Sequence, residues 1–322
     1  MGKATWMAGN YGIMVHFLSH IAPRSGTEKM TVDQMADKFD VKGFVHSVKQ
    51  MGGKWIIFPF GQNTGYYWSY NAVIEKYHPG SCSKRDLVLE LAVEAKQQGL
   101  RFIGYFPTEV DGNTPAIRDA FGWDLSADKK VFMDRWTQVI RYYAEKFGTL
   151  LDGWWFDGCF NAAEKTYLRT NDWDNRRFDE ESWFAAARAG NPDRITAMNK
   201  GSNRVEYVFE QEEYLPGESA GPDQKLIEKH LGGRTDHLYP WDYASREKQW
   251  HTLIWLDCFW MHCGKSGEIE PPRFSDETLF DYAKTCLDKK GGITWNVGIY
   301  EDSSLAEKTV AQIVRLKEML EK

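Results

Sequence analysis

Strand-like apolar runs alternate with helical patterns along nearly the whole chain, and this rhythm limits the possible folds more than any other feature. Tyr11–Leu18 reads as a first strand, Lys54–Phe60 as a second, Arg101–Pro107 as a third and Gly153–Asp157 as a fourth. Between them lie amphipathic stretches at Val41–Met51, Arg85–Gln98 and Lys130–Phe147, stopped by Gly52, Gly99 and Gly148. The pattern continues with a helix near Asp179–Ala189, a strand at Arg194–Asn199 and a strand within Trp250–Met261. A helix at Ser275–Lys289, a strand at Ile293–Val297 and a helix at Leu305–Leu320 close it. A sixth unit is blurred somewhere in 205–245. Eight strand-then-helix units predict an α/β fold of the (β/α)8 TIM-barrel type, one catalytic domain over residues 1–322. A doubly wound open sheet is the competitor, but no G-x-G-x-x-G or P-loop follows the first strand.

Composition narrows the function classes. Forty basic and 46 acidic side chains leave a net charge of −6 with no basic stripe, which argues against a nucleic-acid partner. No run of about 18 apolar residues is present, so no membrane span is expected. The first residues, MGKATWMAGNYG, contain no apolar core of a signal peptide, although a trimmed exported protein would read the same. Five cysteines without a C-x-x-C pair suggest neither a disulfide framework nor a zinc site. His230, His251 and His262 share no spacing with cysteines or acids, so neither metal nor cofactor is expected. Aromatic residues are abundant, with 14 Trp, 15 Tyr and 18 Phe making 15% of the chain.

In a barrel the chemistry sits at the C-terminal ends of the strands. Those positions hold His16 and His20, Gln62 and Asn63, Tyr105 and Glu109, Asp157, Asn199, Asp257, Trp260, His262 and Asn296. The blurred sixth region adds Glu210, Glu212, Glu213, Glu218, Trp241 and Asp242. Carboxylates, amides, imidazoles and indoles together suit a sugar, whose hydroxyls take paired hydrogen bonds and whose C–H faces stack on aromatic rings. Glycoside cleavage needs two carboxyl groups. Most of the aromatic side chains nevertheless serve packing between barrel and helices.

Several segments, in order, resemble family 29 α-L-fucosidases. LLDGWWFDG (Leu150–Gly158) is similar to the family's nucleophile strand, and YGIMVHF (Tyr11–Phe17) to its first strand. GGKWIIFPFGQNTGYYWS (Gly52–Ser69), RDLVLELAVEAKQQGLRFIGYF (Arg85–Phe106) and KKGGITWNVG (Lys289–Gly298) resemble further strands and a helix, so the likeness spans residues 6–320. It implies a retaining exo-glycosidase that removes a terminal fucose or related deoxy or L-sugar by double displacement.

The same resemblance assigns roles. Asp157 matches the nucleophile, and an attacking carboxylate must be ionised, so hydrogen-bond donors should surround it. The acid/base of such enzymes lies in a variable loop after the fifth or sixth strand. Glu218, after Pro216-Gly217, is the first candidate there, with Glu213 and Glu210 as alternatives. His16 matches a first-strand histidine that contacts sugar. Gln62, Asn63, Tyr105, Trp155, Asn199, Trp241 and Asp242 complete the expected substrate-binding set. Two departures stand out. Relatives carry His-His-Asp-Gly after the second strand, where this chain has Gly61-Gln62-Asn63-Thr64-Gly65, so the pattern of hydroxyl contacts should differ. The C-terminal β-sandwich of many relatives also has no counterpart here. A barrel that binds carbohydrate without turning it over is the main alternative, and a lyase or isomerase acting on sugar acids is another.

Overall fold

The computed structural model describes residues 2–62, 64–110, 112–159, 179–201, 207–219, 221–223 and 248–322. The elements follow in the order β1 (Tyr11–Met14), α1 (Val32–Lys38), α2 (Val41–Gln50), β2 (Trp55–Pro59), α3 (Ala72–Tyr77), α4 (Leu87–Gln97) and β3 (Arg101–Pro107). Then come α5 (Pro115–Phe121), α6 (Lys130–Phe147), β4 (Gly153–Asp157), α7 (Glu180–Ala187) and β5 (Ile195–Met198). β6 (His251–Trp255), α8 (Asp276–Asp288), β7 (Gly292–Asn296) and α9 (Glu307–Leu320) complete the series. The helix starts are set by side chains that accept otherwise unpaired N–H groups: Asp40 for α2, Asp86 for α4, Asp179 for α7 and Ser275 for α8. Among the described residues no helix is long and apolar enough to cross a membrane.

All seven strands run parallel in one sheet, in the order β5-β4-β3-β2-β1-β7-β6. Side chains alternate between its two faces. One face carries Ile13, Ile56, Phe58, Phe102, Phe106, Trp154, Phe156 and Trp295 into a layer shared with the helices. The other carries Met14, Trp55, Ile57, Ile103, Tyr105, Trp155, Ile195, Ala197 and Leu253 into a separate inner core. Burial on both faces explains why these strands read as continuous apolar runs.

This is a barrel-like α/β fold, and it corrects the expectation of a closed eight-stranded barrel. The described residues form a seven-stranded sheet, with no regular strand for the sixth unit. Glu213–Ser219 takes that place instead. Glu213 N–H donates to Thr196 O on β5, and the segment makes single parallel bridges from Tyr214 to Gln249, just before β6, and from Glu218 to Leu253 on β6. Pro216 has no N–H to give to a ladder, and Gly217 sits at φ +71°. A Cβ on Gly217 would approach His251 O to 2.2 Å, so the backbones meet at a distance only glycine allows.

Two buried polar groups hold the layers in register. Arg194 lies fully buried, and its guanidinium donates to the carbonyls of Ala144, Gly148, Leu151, Ala187 and Ala189. It thereby ties the C-terminal ends of α6 and α7 to the approach to β4, where a cation also suits the helix dipoles. Burial draws its pKa down to about 10, so it keeps its charge at neutral pH. On the inner face, His251 donates from Nδ1 to Leu215 O at 3.0 Å. Its Nε2 accepts from the Thr294 hydroxyl at 2.7 Å, and Thr294 accepts from Trp55 Nε1–H at 2.8 Å.

That chain of bonds uses a neutral imidazole, and burial pushes the pKa of His251 down to about 4. Unfolding returns it to the ordinary value of about 6.5. Between these values the unfolded state binds the extra proton, so falling pH favours unfolding by up to about 1.4 kcal/mol per unit from this group. Urea titrations at pH 7, 5.5 and 4.5 should show that loss, and His251→Gln should flatten it. An NMR titration showing the folded His251 ring protonating near pH 6.5 would contradict the assignment.

Candidate active site

Asp157 ends β4 on the inner face, two positions beyond Trp155, where the apolar core gives way to polar groups. Four donors converge on its carboxylate. Oδ1 accepts from Gly158 N–H and from Asn199 Nδ2, each at 2.9 Å. Oδ2 accepts from the Tyr105 hydroxyl at 2.7 Å and from Gln62 Nε2 at 3.4 Å. Gly158 reaches back to its neighbour because its φ is +87°, and a side chain there would press on Thr108 and Glu109. Burial, then the charge of Asp157, holds the Tyr105 phenol well above its usual range. Its O–H therefore remains a donor at any working pH.

Asn199 stands at the end of β5 and is fully buried. Its Nδ2 donates to Asp157 at 2.9 Å and also to Glu218 Oε2 at 2.5 Å. Two oxygens on one nitrogen can be no farther apart than those two bonds laid end to end, about 5.4 Å. The amide cannot turn over freely, because its Oδ1 accepts from Gly201 N–H at 3.1 Å. Glu218 arrives on the irregular sixth segment, whose Pro216 carbonyl accepts from Trp155 Nε1–H at 2.9 Å.

A third side of the site comes from β1 and β7. Asn296 donates from Nδ2 to Trp260 O at 2.8 Å, which turns its Oδ1 toward His16 Nδ1 at 2.7 Å. His16 must then donate from Nδ1, leaving Nε2 as an acceptor. Burial, outweighing the neighbouring Asn296 and Asp157, lowers the pKa of His16, so the ring is neutral at pH 7. Its edge meets the Tyr105 ring with centroids 5.3 Å apart, and Trp260 lies 5.7 Å away. Trp260 holds φ +60°, a conformation that costs a bulky residue about 1–3 kcal/mol.

The structure thus brings Asp157, Glu218, His16, Gln62, Tyr105 and Asn199 to one end of the sheet. Trp155 lies beneath them, buried, with its ring edge on Tyr105 at 5.2 Å and its N–H on Pro216. Asn63, Trp241 and Asp242 lie outside the described residues. Of the alternative acids, Glu213 is held by Arg188 at 2.8 Å and by Thr196 N–H and O–H at 2.9 Å. Glu210 accepts from the Tyr207 hydroxyl at the surface. Glu212 is buried under the backbone N–H groups of Met198, Val208 and Phe209, and burial drives its pKa up to about 8. Glu109, at the end of β3, is buried behind Gly158 and accepts from Gly112 N–H. Asp257 accepts from Gly298 N–H, Cys258 N–H and Thr309 Oγ1, bracing the strand-end loops.

Asn296 and Trp260 take part in the site although sequence reasoning gave them no role. Both were visible only as strand-end positions. Among the described residues no group of three His, Cys, Asp or Glu side chains is placed to hold a metal ion.

A barrel-like α/β fold of this kind has counterparts of known structure. No protein-family model matches the chain, and no curated protein matches it by sequence. Solved structures do. The endo-fucoidan hydrolase P5AFcnA from glycoside hydrolase family 107 matches with a TM-score of 0.69 and 14% identity, over 99% of this chain and 93% of that one. The α-L-fucosidase AlfC from Lactobacillus casei, in complex with its α-L-fucose product, matches with a TM-score of 0.59 and 16% identity over 99% of both chains. A family 29 α-L-fucosidase from Bacteroides thetaiotaomicron, trapped as a covalent intermediate, matches with a TM-score of 0.61 and 14% identity. That match covers 98% of this chain and 74% of the other. At such identities the likeness establishes a shared fold.

The hydrogen-bond chain from Trp260 through Asn296 fixes a testable property of His16. Nitrogen-detected NMR of the imidazole should report the Nδ1–H tautomer at pH 7, with a titration midpoint below 6.5. Asn296→Ala should remove the tautomer preference. An Nε2–H tautomer, or a midpoint above 6.5, would overturn the geometry.

Proposed function

We propose that the protein is a retaining glycoside hydrolase that acts on α-L-fucosides or a closely related deoxy or L-sugar. What carries this reading is the Asn199 amide, which reaches both Asp157 and Glu218 and keeps their nearest oxygens within about 5.4 Å. Retaining glycosidases use carboxyl groups about 5–5.5 Å apart, whereas inverting ones leave about 6.5–9.5 Å for a water. The shared fold with a fucoidan hydrolase and with α-L-fucosidases supports the sugar class.

In the proposed reaction, Asp157 attacks the anomeric carbon while protonated Glu218 gives its proton to the departing glycosidic oxygen. The resulting glycosyl ester on Asp157 is then opened by water, whose proton returns to Glu218. Tyr105, Gly158 and Asn199 orient the nucleophile, and Gln62 stands beside it. His16 Nε2 accepts a hydrogen bond from a sugar hydroxyl. Trp155 acts indirectly, by holding the Pro216 carbonyl and so the segment that carries Glu218.

Glu218→Gln should lower turnover of an unactivated glycoside by about 10²–10⁴-fold. Turnover of a 4-nitrophenyl α-L-fucoside, whose leaving group needs little protonation, should fall far less. Asp157→Gly should fold normally and lose nearly all turnover, and added azide should restore it as a glycosyl azide. A wild-type protein that binds fucosides but hydrolyses none would leave the carbohydrate-binding barrel as the correct reading. Full activity in Asp157→Gly without azide would remove the nucleophile assignment.

A further inference from the structure

The aromatic side chains of the loop after β6 are not accounted for by that reaction. Phe259 has 69% of its surface exposed, more than any other large hydrophobic residue described. It stands beside two further rings, with its centroid 5.2 Å from Trp255 and 6.2 Å from Trp260. Trp255 and Trp260 are 4.9 Å apart, and Trp260 in turn faces His16. Trp260 and Phe259 therefore run outward from beside His16 as one ledge, backed by the buried Trp255 ring.

The ledge is anchored at both ends. Asp257 clamps its start to Gly298 and Thr309, and Asn296 holds the Trp260 carbonyl. Past it, Ala22 N–H donates to His262 O, and Ile21 bridges Cys263, which joins this loop to the one after β1. From below, the Arg273 guanidinium stacks on Trp255 at 4.0 Å and pairs with Asp223. Trp260 keeps a left-handed backbone within this frame, and such outliers survive where the surroundings impose them. Nδ1 of His20 and Nε2 of His262, in the two joined loops, are buried without hydrogen-bond partners. Unpaired buried groups of this kind are uncommon.

A pocket for one sugar needs no exposed ring beyond its rim. We infer that Phe259, continuing from Trp260, forms a second subsite that stacks a neighbouring sugar ring, so that the substrate is an oligosaccharide or longer glycan. The inference rests on the glycosidase reading and extends it from a single sugar to a chain of sugars. The apolar C–H face of a pyranose would lie on the Phe259 ring, while the first ring sits beside His16 and Asp157.

Binding can be measured separately from turnover by calorimetry on the Asp157→Asn protein, with L-fucose and α-L-fuco-oligosaccharides of two to four rings as probes. The oligosaccharides should bind more tightly than L-fucose. Phe259→Ala should weaken their binding by roughly two- to tenfold, the range of an aromatic stacking contact, and leave L-fucose unchanged. Phe259→Tyr should restore the tighter binding. Oligosaccharides that bind no better than L-fucose, or equally well after Phe259→Ala, or not at all, would overturn the subsite. Should the unmutated protein still turn them over, the hydrolase reading survives that outcome. Phe259-dependent binding without turnover would instead keep the subsite and remove the hydrolase.

Discussion

A parallel sheet packed against apolar layers on both faces leaves its strands few places for polar side chains. Here the outer layer runs from Ile13 to Trp295 against the helices, and the inner one from Met14 to Leu253. A polar group within the inner layer is stable there when it is paired, as His251, Thr294 and Trp55 are with one another. Only at the C-terminal ends of the strands does the inner face open. Asp157, Asn199, Tyr105, His16 and Asn296 all stand there because strand alternation brings those positions inward. The location of the candidate site follows from the packing.

Within that opening, one amide decides how two carboxylates relate. Asn199 can serve both Asp157 and Glu218 because Glu218 arrives on a segment that is not a regular strand. Pro216 has no N–H to give to a ladder and its carbonyl turns to Trp155, while the Gly217 carbonyl still accepts from Leu253 N–H on β6. Pairing is interrupted at Pro216, just before Glu218 comes beside Asp157. The positive φ of Trp260 on the opposite side follows the same logic, since the loop frame fixes a conformation that the residue alone would avoid.

The neighbouring Glu residues show how far burial and pairing divide similar side chains. Glu210, Glu212 and Glu213 fall within four residues, yet one is at the surface, one is enclosed by backbone N–H groups and one is paired with Arg188. Their spacing in the chain carries no trace of this. Glu218 sits on the bridged sixth segment and faces the Asn199 amide.

The sequence by itself determined the local order. β3, β4 and α6 run over the residues that periodicity and glycine stops indicate, because apolar alternation and helix caps are short-range properties. It also indicated that Asp157 would end a strand, since the short apolar run GWWFD lies between the glycine stop of α6 and Gly158. Only the tertiary structure decided that the sixth unit would be a bridged segment rather than a strand. Only it decided that Trp155 would support Pro216 from below, and that Asn296 would link His16 to Trp260. These contacts join residues 36 to 280 positions apart. No pattern within a window of the chain records them, because each depends on how the whole sheet curls and which backbone atoms are left without a partner.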